Sequence, residues 1–325
     1  MSLRAFITGI GGFAGSHLAE ALLRADNHVE GTVRPGGSSV HIGDLPALVT
    51  LHPCDVRSSG GLADAVRKAK PDVVYHLAAT TSVSEGETDP HGTMEVNLTG
   101  TLHLLEALQK ETPGALLVHI SSSEVYGKVL PEENPIREDR PEAPVHAYGL
   151  SKLLSEQLVR FYERRHGISA IILRPFNHIG PRQSDRFVCA SFVKQLVSIE
   201  LGRTSPVLRV GNLDPVRDFT DVRDMVEAYR LAAEHCESGS LYNIASGQGT
   251  SIADLLSQML SLTHSQIEVR KDPNRVRKTE IPVLIGDATS FTEKTGWQRR
   301  FALRETLSDT TAYWRQMAAD QPEGQ

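Results

Sequence analysis

The sequence predicts an α/β fold: a doubly wound parallel sheet of Rossmann type, carrying a smaller C-terminal substrate-binding domain. Three observations lead there. Short β-rich runs alternate with helical patterns as far as Pro175. A glycine-rich turn, "TGIGGFAG", joins the first strand to the first helix. After Pro175 the rhythm breaks, loops lengthen, and Arg, Asn and Asp accumulate. Regular alternation of strands and helices implies a parallel sheet with helices on both faces.

Each element has its own signal. "LRAFITG" reads as a strand, and "FAGSHLAEALLRAD" as a helix with Leu18, Leu22 and Ala25 on one face. "HVEGTVR" is a second strand, closed by the breaker "PGGSS". "LVTLHPCDV" is a third strand; "GGLADAVRKAK" is a helix ended by Pro71. "DVVYHLAA" has the continuous apolar character of a strand buried on both faces. "VNLTGTLHLLEALQK" is a helix and "ALLVHIS" the next strand. "AYGLSKLLSEQLVRFYERRHG" is a long helix with a glycine stop, and "ISAIILRP" a further strand. Residues 1–175 are therefore assigned to the cofactor domain and 176–325 mainly to the substrate domain. A late strand near 240–246, "SLYNIASG", is expected to return to the sheet, with the helix "SIADLLSQMLSLT" after it.

Composition narrows the class. The 325 residues are enough for one large or two modest cores. Hydrophobic residues make up 40% and charged residues 23%, an ordinary soluble balance. The net charge of −6 disfavours a nucleic-acid binder while leaving room for a local basic pocket. No apolar run approaches the roughly 20 residues of a membrane span. No secretory signal precedes the first strand. The three cysteines, Cys54, Cys189 and Cys236, lie far apart without paired spacing. That pattern suits a reducing compartment, so a cytoplasmic location is expected. The thirteen histidines form no metal-binding spacing, so no metal is expected.

Gly9, Gly12 and Gly15 stand where backbone N–H groups can approach a pyrophosphate at a helix N-terminus. The second strand ends in Thr32-Val33-Arg34, without the acid that commonly holds a ribose 2′-hydroxyl. Arg34 can instead pair with a 2′-phosphate, which favours NADP(H). Otherwise it is a solvated loop arginine. Asp55, after the third strand, is a candidate for the adenine edge.

Tyr148 and Lys152, in "YGLSK", are four apart and share one helical face. An ammonium beside a phenol is expected to lower the phenol's pKa from about 10. The tyrosine can then exchange a proton with a hydroxyl or carbonyl oxygen. A hydroxyl residue closes the preceding strand in "SSSEVYG".

With "TGIGGFAG", "HLAA", "SSSEVYG" and "YGLSK" together, the chain resembles an extended short-chain dehydrogenase/reductase over nearly its whole length. The resemblance implies that Tyr148 is the general acid/base and that Lys152 tunes it and holds the nicotinamide ribose. It implies that Ser122 bonds the reacting oxygen, with Ser121 and Ser123 as ordinary strand-end residues. It also brings Phe13, Val56 and the run Leu77-Ala78-Ala79 to the cofactor.

The second half narrows the resemblance to enzymes of GDP-linked 6-deoxy-hexoses, through "LRPFNHIGPRQSDRFV", "VGNLDPVRDFTDVRDMVEAY" and "RKTEIPVLIGD". Asn177 can donate to phosphate, and Arg217 and Arg277 can bind it through charge-assisted bonds. Glu280 can accept from a ribose hydroxyl, and Phe187 and Val188 can pack on sugar or base. Other members of the basic stretch Arg270 to Lys278 read as solvated charge.

Two activities remain open. Glu124 keeps the position of the elimination base in a GDP-mannose 4,6-dehydratase. "FNHIGP", "VRDFTDVRD", the short loop between Arg34 and Leu48, and Lys194 seven residues beyond Phe187 resemble the 4-keto-6-deoxy-hexose reductases instead. The favoured expectation is NADPH-dependent reduction of the C4 ketone of a GDP-4-keto-6-deoxy-hexose, giving GDP-D-rhamnose. The alternative is a dehydratase that recycles NADP internally. Family habit also suggests a homodimer through the helices at 94–110 and 148–166, although apolar faces there suit a core equally well.

Overall fold

The structure is a computed structural model that describes residues 2–36, 41, 47–263, 265–276 and 281–320. The first half runs β1 (Arg4–Thr8), α1 (Phe13–Arg24), β2 (His28–Val33), β3 (Val49–Pro53), α2 (Ser59–Ala69) and β4 (Val73–His76). Two short helices follow, α3 (Val83–Thr88) and α4 (Pro90–Met94). A π-helical turn, Glu95–Thr99, leads into α5 (Gly100–Glu111), then β5 (Leu116–Ile120), α6 (Ala147–His166) and β6 (Ala170–Pro175). Beyond these come β7 (Asn177–Ile179), α7 (Val188–Glu200), β8 (Val207–Val210), β9 (Val216–Asp221), α8 (Val222–His235) and β10 (Leu241–Ile244). The chain ends with β11 (Gly249–Ser251), α9 (Ile252–Leu260), β12 (Glu268–Lys271), β13 (Val283–Leu284), α10 (Thr289–Thr295) and α11 (Leu303–Ala319).

The main sheet has seven strands in the order β3-β2-β1-β4-β5-β6-β10, all parallel. The order reverses direction at β1, where a doubly wound sheet opens its ligand crevice. Both faces are covered. Ala5 and Ile7 of β1 pack with α1 and α8, whereas Phe6 between them packs with α2 and α5. That alternation explains why the strands read as unbroken apolar runs.

Two local expectations change. Leu18 and Leu22 are buried, but Ala25 is the exposed C-cap of α1 and not part of its core face. The helix expected over 96–110 is not uniform, because its first turn is the π-helical Glu95–Thr99.

The chain does not divide into halves by one cut. β10 is the edge strand of the main sheet. Met225 and Tyr229 of α8, with Phe291 and Trp297 around α10, belong to the same core cluster as α1. The other late elements build a second unit. There β9 pairs with β7, β11 and β13, and β8 pairs with β12. Its core lies between α7, α9 and α11, around Phe192, Leu255 and Leu307. Among the described residues no helix is long and apolar enough to cross a membrane.

Candidate active site

A cleft of about 690 Å³ lies over the C-terminal ends of β1, β4 and β5, within the size range of small-molecule sites. Its floor begins at the glycine loop. Gly12 donates its N–H to the Gly9 carbonyl at 2.9 Å. A Cβ on Gly15 would strike that carbonyl oxygen at 2.4 Å, so the turn closes tightly only with glycine there. Gly12 caps α1 without a side-chain hydrogen bond. The first N–H groups of the helix are thus left to a ligand, which fits the pyrophosphate of a dinucleotide.

Gly9, Gly12, Phe13, Gly15, Leu77, Ala78 and Ala79 all line this end. Arg34, Asp55 and Val56 line the far end, with Arg34 exposed at its rim. Arg57, which sequence reasoning did not single out, grips Asp55 in a fork, Nε to Oδ1 at 3.0 Å and Nη2 to Oδ2 at 2.7 Å. That bond, aided by the charge of Arg34, holds the Asp55 carboxyl below the usual carboxylate range. A planar cationic group beside a rim arginine suits the adenosine end of a phosphorylated dinucleotide.

Ser122, Glu124, Tyr148 and Lys152 meet on the cleft wall where β5 ends. α6 brings the tyrosine and lysine there, capped at its N-terminus by His146, whose side chain accepts from the Gly149 N–H. Ser122 Oγ accepts the Glu124 N–H at 3.2 Å and lies beside the Tyr148 phenol. Lys152 Nζ donates to the Ile120 carbonyl at 2.6 Å.

The expected depression of the Tyr148 pKa is not what this arrangement gives. Burial pushes the phenol up to about 12, with Ser122 opposing it and Glu124 adding to it. Burial also pushes Lys152 down to about 8, against the pull of Glu156. Desolvation disfavours both charged forms, and it outweighs the spacing argument made from sequence.

Glu124 does not stand alone. His146 Nε2 lies 2.9 Å from Glu124 Oε2, and the His146 ring stacks on the Tyr148 ring at 10°. A Cβ on Gly149 would meet the Glu124 carbonyl at 2.5 Å, so this glycine lets α6 sit directly against the strand end. Asn97 is a further residue without a sequence signal. The π-helical turn buries it, where it accepts from the Thr80 N–H at 2.8 Å and donates to Ser151 Oγ at 2.8 Å. It thereby ties the loop after β4 to the catalytic helix.

The substrate side is only partly gathered. Asn177, Phe187 and Val188 line the cleft. Lys194 does not: its ammonium pairs with Asp185 at 2.6 Å and lies 5.8 Å from the centre of the Trp314 ring. Arg217 is buried on the central strand of the second sheet and donates to the Val216 carbonyl at 2.9 Å. Arg277 and Glu280 lie outside the described residues. Arg186, unnoticed in the sequence, spans the cleft mouth to Glu85 at 3.1 Å. Among the described residues no group of three or more metal-ligating side chains is gathered.

A family model described as GDP-mannose 4,6 dehydratase matches residues 6–310. The chain belongs to that family. Within it, the chain is 34% identical to the GDP-6-deoxy-D-mannose reductase of Pseudomonas aeruginosa, over 97% of this chain and 98% of that one. It is 30% identical to the human GDP-mannose 4,6 dehydratase, over 94% of this chain and 89% of that one. Among solved structures, RMD from Pseudomonas aeruginosa complexed with NADPH superposes with a TM-score of 0.84 at 33% identity, covering 97% of this chain and all of that one. A UDP-glucose 4-epimerase from Thermotoga maritima reaches 0.87 at 27% identity, covering 97% and 99%. Backbone likeness therefore spans several activities, and it is the extended short-chain dehydrogenase/reductase fold that these structures share.

Proposed function

We propose that the protein is an NADP(H)-dependent oxidoreductase of GDP-linked sugars that reduces the C4 ketone of a GDP-4-keto-6-deoxy-hexose. The observation that carries the reductase reading is the end-to-end likeness to the Pseudomonas aeruginosa reductase. The site is consistent with it. Tyr148, held as the phenol by burial and lying beside Ser122, can donate its proton to O4 as negative charge develops there. Ser122 is the second donor to that oxygen, and the Lys152 ammonium stabilises the phenolate left behind. NADPH, when bound along the glycine loop, supplies the hydride. Arg34 is the group for its 2′-phosphate, and Asn177 lies where a diphosphate is expected.

A second reading is GDP-mannose 4,6-dehydration, favoured by Glu124 on the cleft wall. Cofactor accounting separates the two. A reductase consumes one NADPH for each GDP-4-keto-6-deoxy-mannose converted. Conversion of GDP-mannose with NADPH untouched overturns the reductase reading.

The assembly we propose is a homodimer. Leu150, Leu154 and Phe161 lie exposed along α6, an apolar stripe of the kind that packs on a partner helix.

A further inference from the structure

We propose that Glu156 is a positioning residue for Lys152: together with Ser121 and Arg174 it clamps the end of β5 onto α6 and fixes the turn that carries the lysine. The proposal rests on the reading that Tyr148 and Lys152 carry the reaction.

Two successive residues at the end of β5 each hold one residue of α6. The Ile120 carbonyl accepts from Lys152 Nζ at 2.6 Å. Ser121 Oγ donates to Glu156 Oε1. Tyr148, Lys152 and Glu156 are spaced four apart, so they form one row along the helix. The run "SSS" is thus not three equivalent hydroxyls: its first member anchors a carboxylate two turns from the tyrosine.

Glu156 is fully buried, and so is Arg174 of β6, which grips it through Nε to Oε1 at 3.0 Å and Nη2 to Oε2 at 2.7 Å. Arg174 also donates to Glu142 Oε1 at 2.5 Å. Two cations, Lys152 and Arg174, are therefore matched by two carboxylates. Glu142 and Glu156 both accept from Nη2 of Arg174, so the guanidinium is served by two carboxylates, and Glu156 lies one helical turn beyond the buried Lys152. The other titratable groups around the ammonium give it no anion. His76 on β4 and His119 on β5 are held neutral by burial, and Tyr148 is held as the phenol. Glu156 is the group that favours the charged lysine against desolvation. A buried ammonium deprived of its anion sheds its proton.

The test compares wild type, Glu156→Gln and Ser121→Ala. The Lys152 titration is read by NMR of the 13Cε-labelled lysine, and kcat for NADPH oxidation is measured against pH. In Glu156→Gln the lysine is expected to titrate at least one pH unit lower. The alkaline fall of kcat should move by the same amount, so that activity drops about fivefold at pH 8 and far less at pH 6. Ser121→Ala should move both in the same direction by less. If Glu156→Gln fails to fold because Arg174 is left unpaired, Glu156→Gln with Arg174→Met removes both charges and is expected to show a smaller acidward displacement, since loss of the Arg174 cation opposes it. A folded variant whose Lys152 titration coincides with wild type overturns the proposal. Because the NMR titration needs no substrate, it decides the point even if the keto sugar proves not to be the substrate.

Discussion

His146 Nε2 donates a hydrogen bond to Glu124 Oε2 at 2.9 Å, while Nδ1 of the same ring accepts the Gly149 N–H at 3.0 Å. The second bond sets the tautomer, because a ring nitrogen that accepts carries no proton. One imidazole thus caps the catalytic helix and holds the carboxylate that tempts a dehydratase reading. Glu124→Gln keeps an acceptor for His146 and removes the charge. Ketone reduction is expected to stay within a few-fold of wild type, measured as kcat for NADPH oxidation. A loss of a hundredfold with NADPH binding intact would give Glu124 a part in the chemistry.

The cap itself has a stability consequence. His146→Ala removes an N-cap worth about 1 kcal/mol, or a fall in Tm of about 1.5 °C for a chain of this size. His146→Asn restores a good cap and should recover most of the loss in calorimetry. If the two variants melt together, the cap contributes nothing measurable.

Arg34 is the group we propose for the cofactor's 2′-phosphate. Arg34→Ala removes the charge at the cleft rim beside Asp55, worth about 1–3 kcal/mol to a bound phosphate. The KM for NADPH is expected to rise by 10-fold or more, with the KM for NADH nearly unchanged. Equal effects on both cofactors would place the arginine away from the 2′-position.

Stability should fall in mild acid. Burial pushes His17 down to about 4 and His76 down to about 3, and His119 and His178 also titrate low because of burial. As pH drops below about 6.5 the unfolded chain takes up protons that the folded chain refuses, so the folded state loses stability. For His17 the loss accumulates between about pH 6.5 and 4 and amounts to roughly 3 kcal/mol. Urea midpoints followed from pH 7 to 4.5 should decline. Replacing His17 with Gln should flatten the decline, and an unchanged slope would assign it to other groups.

The proposed dimer puts the apolar stripe on α6 in its interface. Phe161 is half exposed, and Phe161→Glu puts a charge where the proposed partner helix packs. Sedimentation should show a dimer for wild type and a monomer for the variant. A monomeric wild type would remove the dimer from consideration.

Much of this was legible in the sequence because it is local. The strand–glycine–helix opening, the Tyr148–Lys152 spacing and the serine run all lie within single short stretches, and their elements fall where the patterns put them. What was not legible depends on pairings across the chain. The partners of Glu156 lie on β5 and β6, so nothing near residue 156 announces a buried charge. The same holds for Asn97, whose burial depends on a π-helical turn that periodicity reads as ordinary helix. Arg217 looked like a phosphate ligand because it is an arginine in a polar segment. Its burial on the central strand of the second sheet depends on pairings with β11 and β13 that no local pattern announces.

The late arrival of β10 also bears on how the chain is made. At the ribosome, residues 1–175 emerge with six of the seven strands and a bare sheet edge at β6. One of their two apolar faces still lacks α8. Until Ile244 has been translated and has cleared the exit tunnel, that edge is open to pairing with any other extended segment. That interval is the stage at which the nascent cofactor half is most open to mispairing.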